Sequence, residues 1–122
     1  MNIRISWRSA HVTAVIHETP TTSKLKAALP FESRAHRWGK EVYFDAPFES
    51  SLEPDAKQVV EPGTVCFWVE GKSLAIPFGP TPISKGDECR VVTRVNILGR
   101  VEGNAGVLDS IQEGDRIRVE AV

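Results

Sequence analysis

Glu41 and Tyr43 are the polar-capable members of an otherwise apolar run, Glu41-Val42-Tyr43-Phe44, and Trp38 lies just ahead of them. On a strand, residues two apart project from the same face, so a carboxyl and a phenol would stand together with Val42 and Phe44 opposite. One reading makes the pair the polar floor of a cleft walled by Trp38, Phe44 and Phe78. Few directed polar groups in an apolar pocket is the usual design of a small-molecule site. The plainer reading places Glu41 in a buried hydrogen bond or at a rim, with the aromatics in the core. Both stand on the sequence.

A second group of residues sits on Phe78-Gly79-Pro80-Thr81-Pro82-Ile83-Ser84. Proline has no N–H to donate, so the apolar run Leu74–Phe78 must leave its sheet here in a stiff loop. Such loops on rigid scaffolds often carry binding groups. Gly79, Pro80 and Pro82 would preorganise the Thr81 and Ser84 hydroxyls, either to hold a carboxylate or phosphate or to cap their own turn. Each X–Pro bond has a cis frequency of about 5–6% in folded proteins, so Pro80 and Pro82 are candidates. Asn96 interrupts an apolar strand face and would bind a ligand or neighbouring backbone.

Other chemistry is poorly represented. His11, His17 and His36 share no metal-ligand spacing, and no phosphate-binding glycine loop or nucleophile elbow is present. Cys66 and Cys89 match no metal or redox spacing, and Cys66 lies in an apolar run, which reads as a small buried thiol. No metal and no cofactor is expected.

Lys plus Arg total 15 against 16 Asp plus Glu, a net charge of −1, which provides no electrostatic footprint for nucleic acid. With 41% hydrophobic and 25% charged residues, the 122-residue chain reads as one globular domain, residues 1–122. No segment has the ~7–15 apolar residues of a signal peptide or the ~20 of a membrane span. A soluble cytoplasmic protein is the expectation.

The elements that must position these residues are mostly strands. Ile3, Ile5 and Trp7, then Val12, Ala14 and Ile16, alternate with polar residues across Arg8-Ser9, which predicts a hairpin. Thr19-Pro20 reads as a helix start, Leu25, Ala28 and Leu29 have helical spacing, and Pro30 ends the run. Phe31–Pro47 is extended, with a turn or bulge at Gly39. Asp45–Lys57, acidic and without period, reads as a surface loop or flap. Glu61-Pro62-Gly63 has the form of a type II turn leading into Val65–Val69, apolar on both faces. Glu70-Gly71-Lys72 turns that strand back into Leu74–Phe78. Arg90–Val101 is the longest strand, a short helical turn follows Asn104, and a last strand carries Ile117, Val119 and Ala121 inward. Seven or eight strands with two small helices fit a closed antiparallel barrel, which removes its edges.

Leu29-Pro30-Phe31-Glu32-Ser33, Trp38-Gly39-x-Glu41-x-Tyr43-Phe44, Trp68-x-x-Gly71, Phe78-Gly79-x-Thr81-Pro82-x-Ser84 and Val95-Asn96-x-x-Gly99 follow in series. The series resembles the small prokaryotic cyclophilin-like domain family, from about Leu25 to Arg118. That resemblance implies a mainly β, compact closed cyclophilin-like antiparallel barrel with two short capping helices, and a cleft. True cyclophilins isomerise X–Pro bonds with an arginine that hydrogen-bonds the twisting amide. Here Arg34 and Arg37 lie near where it would fall, although Trp-Gly-x-Glu stands in place of the longer cyclophilin signature.

The leading expectation is therefore non-covalent binding of a small molecule or short peptide segment. Its residues would be Trp38, Glu41, Tyr43, Phe44, Phe78, Gly79, Thr81, Pro82, Ser84 and Asn96. The alternative is a peptidyl-prolyl isomerase using Arg34 or Arg37. A third reading is a homo-oligomeric interaction module built on exposed aromatics.

Overall fold

The computed structural model describes all of residues 1–122. Chain order gives β1 (Asn2–Ser6), β2 (His11–Ile16), α1 (Pro20–Ala28), β3 (Phe31–Arg34), β4 (His36–Arg37), β5 (Glu41–Asp45) and β6 (Lys57–Val60). Then follow β7 (Thr64–Trp68), β8 (Ser73–Pro77), β9 (Cys89–Val101), a 3₁₀ helix (Ala105–Ser110) and β10 (Arg116–Ala121). Ten strands thus form where seven or eight were expected. Short β4 and β6 account for the difference, since two or four residues are too few to show a period. β6 lies just past the segment read as a flap.

Nine strands pair antiparallel in the order β3-β10-β1-β2-β9-β7-β8-β5-β4, and β6 adds to β9. The barrel is nearly closed rather than closed. Its end strands β3 and β4 are joined only by Ala35 along the chain, and no ladder bonds them. One α-helix and one 3₁₀ helix cover it, each contributing a fully buried leucine, Leu25 and Leu108.

Local chemistry explains the entry into α1. Thr19 Oγ1 accepts from Thr22 N at 3.1 Å while Thr22 Oγ1 accepts from Thr19 N at 2.7 Å. This reciprocal cap satisfies two otherwise orphaned donors, and Pro20 behind it needs none. The peptide joining Leu29 to Pro30 is cis, and those before Pro80 and Pro82 are trans.

The wall formed by β5, β8, β7 and β9 has two apolar faces. Register partners run Tyr43–Ala75–Cys66–Ile97 along one row and Phe44–Leu74–Phe67–Asn96 along the next. The second row faces the barrel interior with Ile5, Leu98 and Ile117. The first faces outward, where Cys66, Ala75, Val91 and Val95 make a separate buried cluster against Tyr43 and Trp68. Irregular pairing on β9 shapes both faces. Leu98 is an extra residue opposite the Val65–Cys66 step, which switches parity so that Leu98 and Val101 both reach the interior. Farther along, Lys57 pairs Val95 while Val59 pairs Arg90, so β9 bulges between them. Ala121 is exposed rather than inward, although it still pairs with Ile3 as the last residue of β10.

Asn96 closes the interior at one end. Its Oδ1 accepts from Glu53 N at 2.7 Å, and its Nδ2 donates to Thr21 Oγ1 at 3.0 Å and Ser51 O at 2.9 Å. Glu53 Oε2 accepts in turn from Thr21 N and Thr21 Oγ1. Phe48 stacks on Phe67 beside this network, with centroids 5.1 Å apart. The segment after β5 is therefore pinned to the helix N-terminus rather than free as a flap. Asn96→Ala should leave the Glu53 amide without its acceptor. We expect a loss of about 2–3 kcal/mol in urea unfolding.

Candidate functional site

Outside the barrel wall, Trp38, Glu41, Tyr43, Trp68, Ala75, Val91, Val92 and Val95 line a hollow of about 200 Å³. Glu41 is its one acidic residue and is 6% exposed. Its Oε1 is buried with no hydrogen-bond partner, and the indole Nε1 of Trp68 is in the same condition. Native interiors leave few polar atoms so, because each costs about 1–3 kcal/mol. Both atoms belong to residues that line the one apolar hollow.

Burial without compensation lifts the Glu41 carboxyl to about 7, so it changes charge near neutral pH. Burial likewise pushes up the Cys66 thiol beneath the hollow, with the Glu41 carboxylate adding to the effect. Cys66 Sγ donates weakly to Thr64 O at 3.7 Å. A thiol held neutral and bonded to backbone is no nucleophile.

Neighbouring elements fix the aromatic walls. Tyr43 and Trp68 meet edge to face at 5.8 Å with their planes 89° apart, and His36 lies 5.0 Å from the other side of Tyr43. The six-membered ring of Trp68 packs directly on Gly71, where a Cβ would come within 2.2 Å of Cε3. Gly71 is thus the space into which that ring fits. Trp38 is held by its N–H on Glu41 O, 3.0 Å, and by the proline segment behind Gly39. Gly39 has φ +61°, and a Cβ there would lie 2.9 Å from Pro82 Cδ, so only glycine fits. Lys40 N donates to Pro80 O and Phe78 N to Lys40 O, which locks the two segments together.

Of the residues singled out on sequence, the structure brings Trp38, Glu41 and Tyr43 into one site. Phe44 faces the barrel interior, fully buried. Asn96 lies in the same interior row, on the opposite side of the wall from Glu41. Phe78 packs against the main core under the Arg37 guanidinium, 5.3 Å from its ring centre. Gly79 abuts the Lys40 side chain, and Pro82 backs Gly39. Thr81 N donates to Ser84 Oγ, which also accepts from Arg90 N, while the Thr81 hydroxyl donates to Arg90 O. These hydroxyls cap their loop. The proline segment supports the site from behind and does not line it.

Neither candidate arginine reaches the hollow. Arg37 donates to Gly39 O, Asp109 O, Asp109 Oδ1 and Ile111 O, tying β4 to the 3₁₀ helix. Arg34 bonds Gly114 O beside Arg8, Arg116 and Arg118 on another face. The isomerase expectation is left without a guanidinium at this cleft. Trp68, Ala75, Val91, Val92 and Val95 are lining residues that sequence reasoning did not select. One signal for them existed: Val65–Val69 reads as apolar on both faces, which requires a second covered surface.

The fold is that of a nearly closed antiparallel barrel, and an apolar hollow with one carboxylate lies on its outer wall. Residues 1–120 match the family model described as Cyclophilin-like, and the chain belongs to that family. It is similar to the hypothetical protein AF2241 of Archaeoglobus fulgidus, known from a solution structure. The two are 35% identical, with a TM-score of 0.84 over 100% of this chain and 95% of that one. It also shares its fold with McbB in complex with tryptophan, at 16% identity and a TM-score of 0.69. That match covers 98% of this chain and 46% of McbB. No curated protein matches the sequence. No helix is long and apolar enough to cross a membrane.

Glu41 sets a pH dependence with a definite sign. Its folded pKa is raised above the unfolded value, so folding favours the neutral acid. Stability from this group is complete below the ordinary carboxylate range and declines as pH rises through about 7. Glu41→Gln should match the wild type in acid and exceed it by up to roughly 3 kcal/mol at alkaline pH, read by urea unfolding across pH. Gly71→Ala should displace the Trp68 ring, shifting tryptophan emission and costing about 1–3 kcal/mol.

Proposed function

We propose that this protein binds a small organic molecule, or one side chain of a short peptide segment, non-covalently in the outer hollow. The observation that carries this reading is the pair of unpartnered buried polar atoms, Glu41 Oε1 and Trp68 Nε1, in one otherwise apolar pocket. A ligand that supplies a partner to each recovers the desolvation already incurred in folding. Volume limits the ligand's size. About 200 Å³ is below the ~300–1,000 Å³ of sites for drug-sized ligands.

Binding without covalent chemistry follows from the lining. It holds no serine, threonine, cysteine, lysine or histidine to act as nucleophile, and the one carboxyl has no catalytic neighbour. Tryptophan is the small molecule named with McbB, whose likeness to this chain is one of fold alone. The interaction-module reading gains no support, because no aromatic residue is among the exposed large hydrophobics.

A fragment screen by NMR on isotope-labelled protein tests the proposal. Binders should shift the Trp38 and Trp68 indole N–H signals and leave that of Trp7, which bonds Ser110 Oγ, unmoved. Ala75→Leu, which fills the floor, should weaken every such binder about tenfold or more. Binders that ignore Ala75→Leu, or a diverse library without one perturbing Trp38 or Trp68, would refute the reading.

A further inference from the structure

We infer that the outer hollow selects a protonated alkylamine, a small organic ammonium ion that carries an oxygen acceptor beside its charge. The inference rests on the hollow being a ligand site and adds the chemical class of its ligand.

Three features point to this class. The lining includes three aromatic residues, Trp38, Tyr43 and Trp68, and these are the single tyrosine and two of the three tryptophans in the chain. Aromatic rings attract alkylated ammonium groups through their negative faces. Glu41 is the only charged lining residue, 94% removed from water on the complement of its 6% exposure, with Oε1 unpartnered. An N⁺–H donor would meet it with a charge-assisted hydrogen bond.

The remaining orphan, Trp68 Nε1, is a donor only, so the same ligand must present an acceptor within reach. Other ligand classes fit less well. An anion would face Glu41 with no lysine, arginine or histidine in the lining to offset it. A hydrocarbon would leave both orphans unsatisfied.

Most surrounding charges are committed elsewhere. Lys40 Nζ pairs Asp109 at 3.3 Å, as does Arg37 at 3.0 Å, and Arg90 pairs Glu88 at 2.7 Å. Cys66 on β7 and Cys89 on β9 feel the Glu41 charge, and burial holds both thiols up, so they stay neutral. His36, against Tyr43, bonds Glu113 Oε2 at 2.7 Å, and Lys57 on β6 is exposed beside Val95. Because a cation favours the ionised carboxyl, its binding should strengthen as pH rises through the titration of Glu41 near 7.

The test is a matched pair of probes on the full chain. N,N-dimethylethanolamine, protonated, and 3-methylbutan-1-ol have the same shape and differ in replacing N⁺–H by C–H. Both would be titrated while following the Trp38 and Trp68 indole signals. At about pH 8 the amine should bind at least about tenfold tighter than the alcohol. Near pH 5.5 that preference should shrink severalfold. Glu41→Gln should hold it at its acid-pH level at every pH with signal dispersion intact, while His36→Gln should preserve it and its pH dependence. Equal or tighter binding of the alcohol at both indoles would overturn the ammonium assignment and leave the hollow standing as a ligand site. No response to the amine would overturn the assignment too, and the fragment screen with Ala75→Leu then decides separately whether the hollow binds anything.

Discussion

A carboxyl left 6% exposed, with one oxygen buried and unbonded, is a cost that the outer wall has to absorb. The cost is visible in the raised titration of Glu41 and in the unbonded Oε1. Folding tolerates it because the same stretch of sheet buries apolar surface on both sides. Phe44, Leu74 and Phe67 close the barrel within, and Cys66, Ala75, Val91 and Val95 cover the wall without. A single mutation-sized defect survives in a doubly covered sheet that would unfold a thinner one.

Rigid support keeps the defect from relaxing. The proline segment backs Gly39, Arg37 binds three backbone carbonyls, and Gly71 receives the ring of Trp68. Walls fixed in this way are already ordered in the folded protein. The Asn96 network does comparable work at the barrel mouth, where a buried amide holds loop, helix and strand together. Its full complement of partners contrasts with the unbonded oxygen of Glu41.

Membership of the cyclophilin-like family places the barrel but leaves its chemistry to the residues on its wall. Arginine, the group on which prolyl isomerisation depends by resemblance, is used here for scaffolding. The nearby hollow presents one acid and three aromatics in its stead.

Much of this was legible in the residues themselves. Alternation at Ile3–Trp7 and Val12–Ile16, the Thr19-Pro20 helix start and the turns at Glu61-Pro62-Gly63 and Glu70–Lys72 are local signals, decided by sterics and hydrogen bonds within a few residues. The same period placed Glu41 and Tyr43 on one face and Phe44 on the other. Motif order was enough to indicate the family. What lay across the sheet was not written locally. Strand register and the bulges of β9 decided that Val91, Val92 and Val95 come to Glu41 and that Asn96 turns inward away from it. Register depends on contacts between residues far apart in the chain, so only the folded wall could bring one acid, three rings and no counter-charge together.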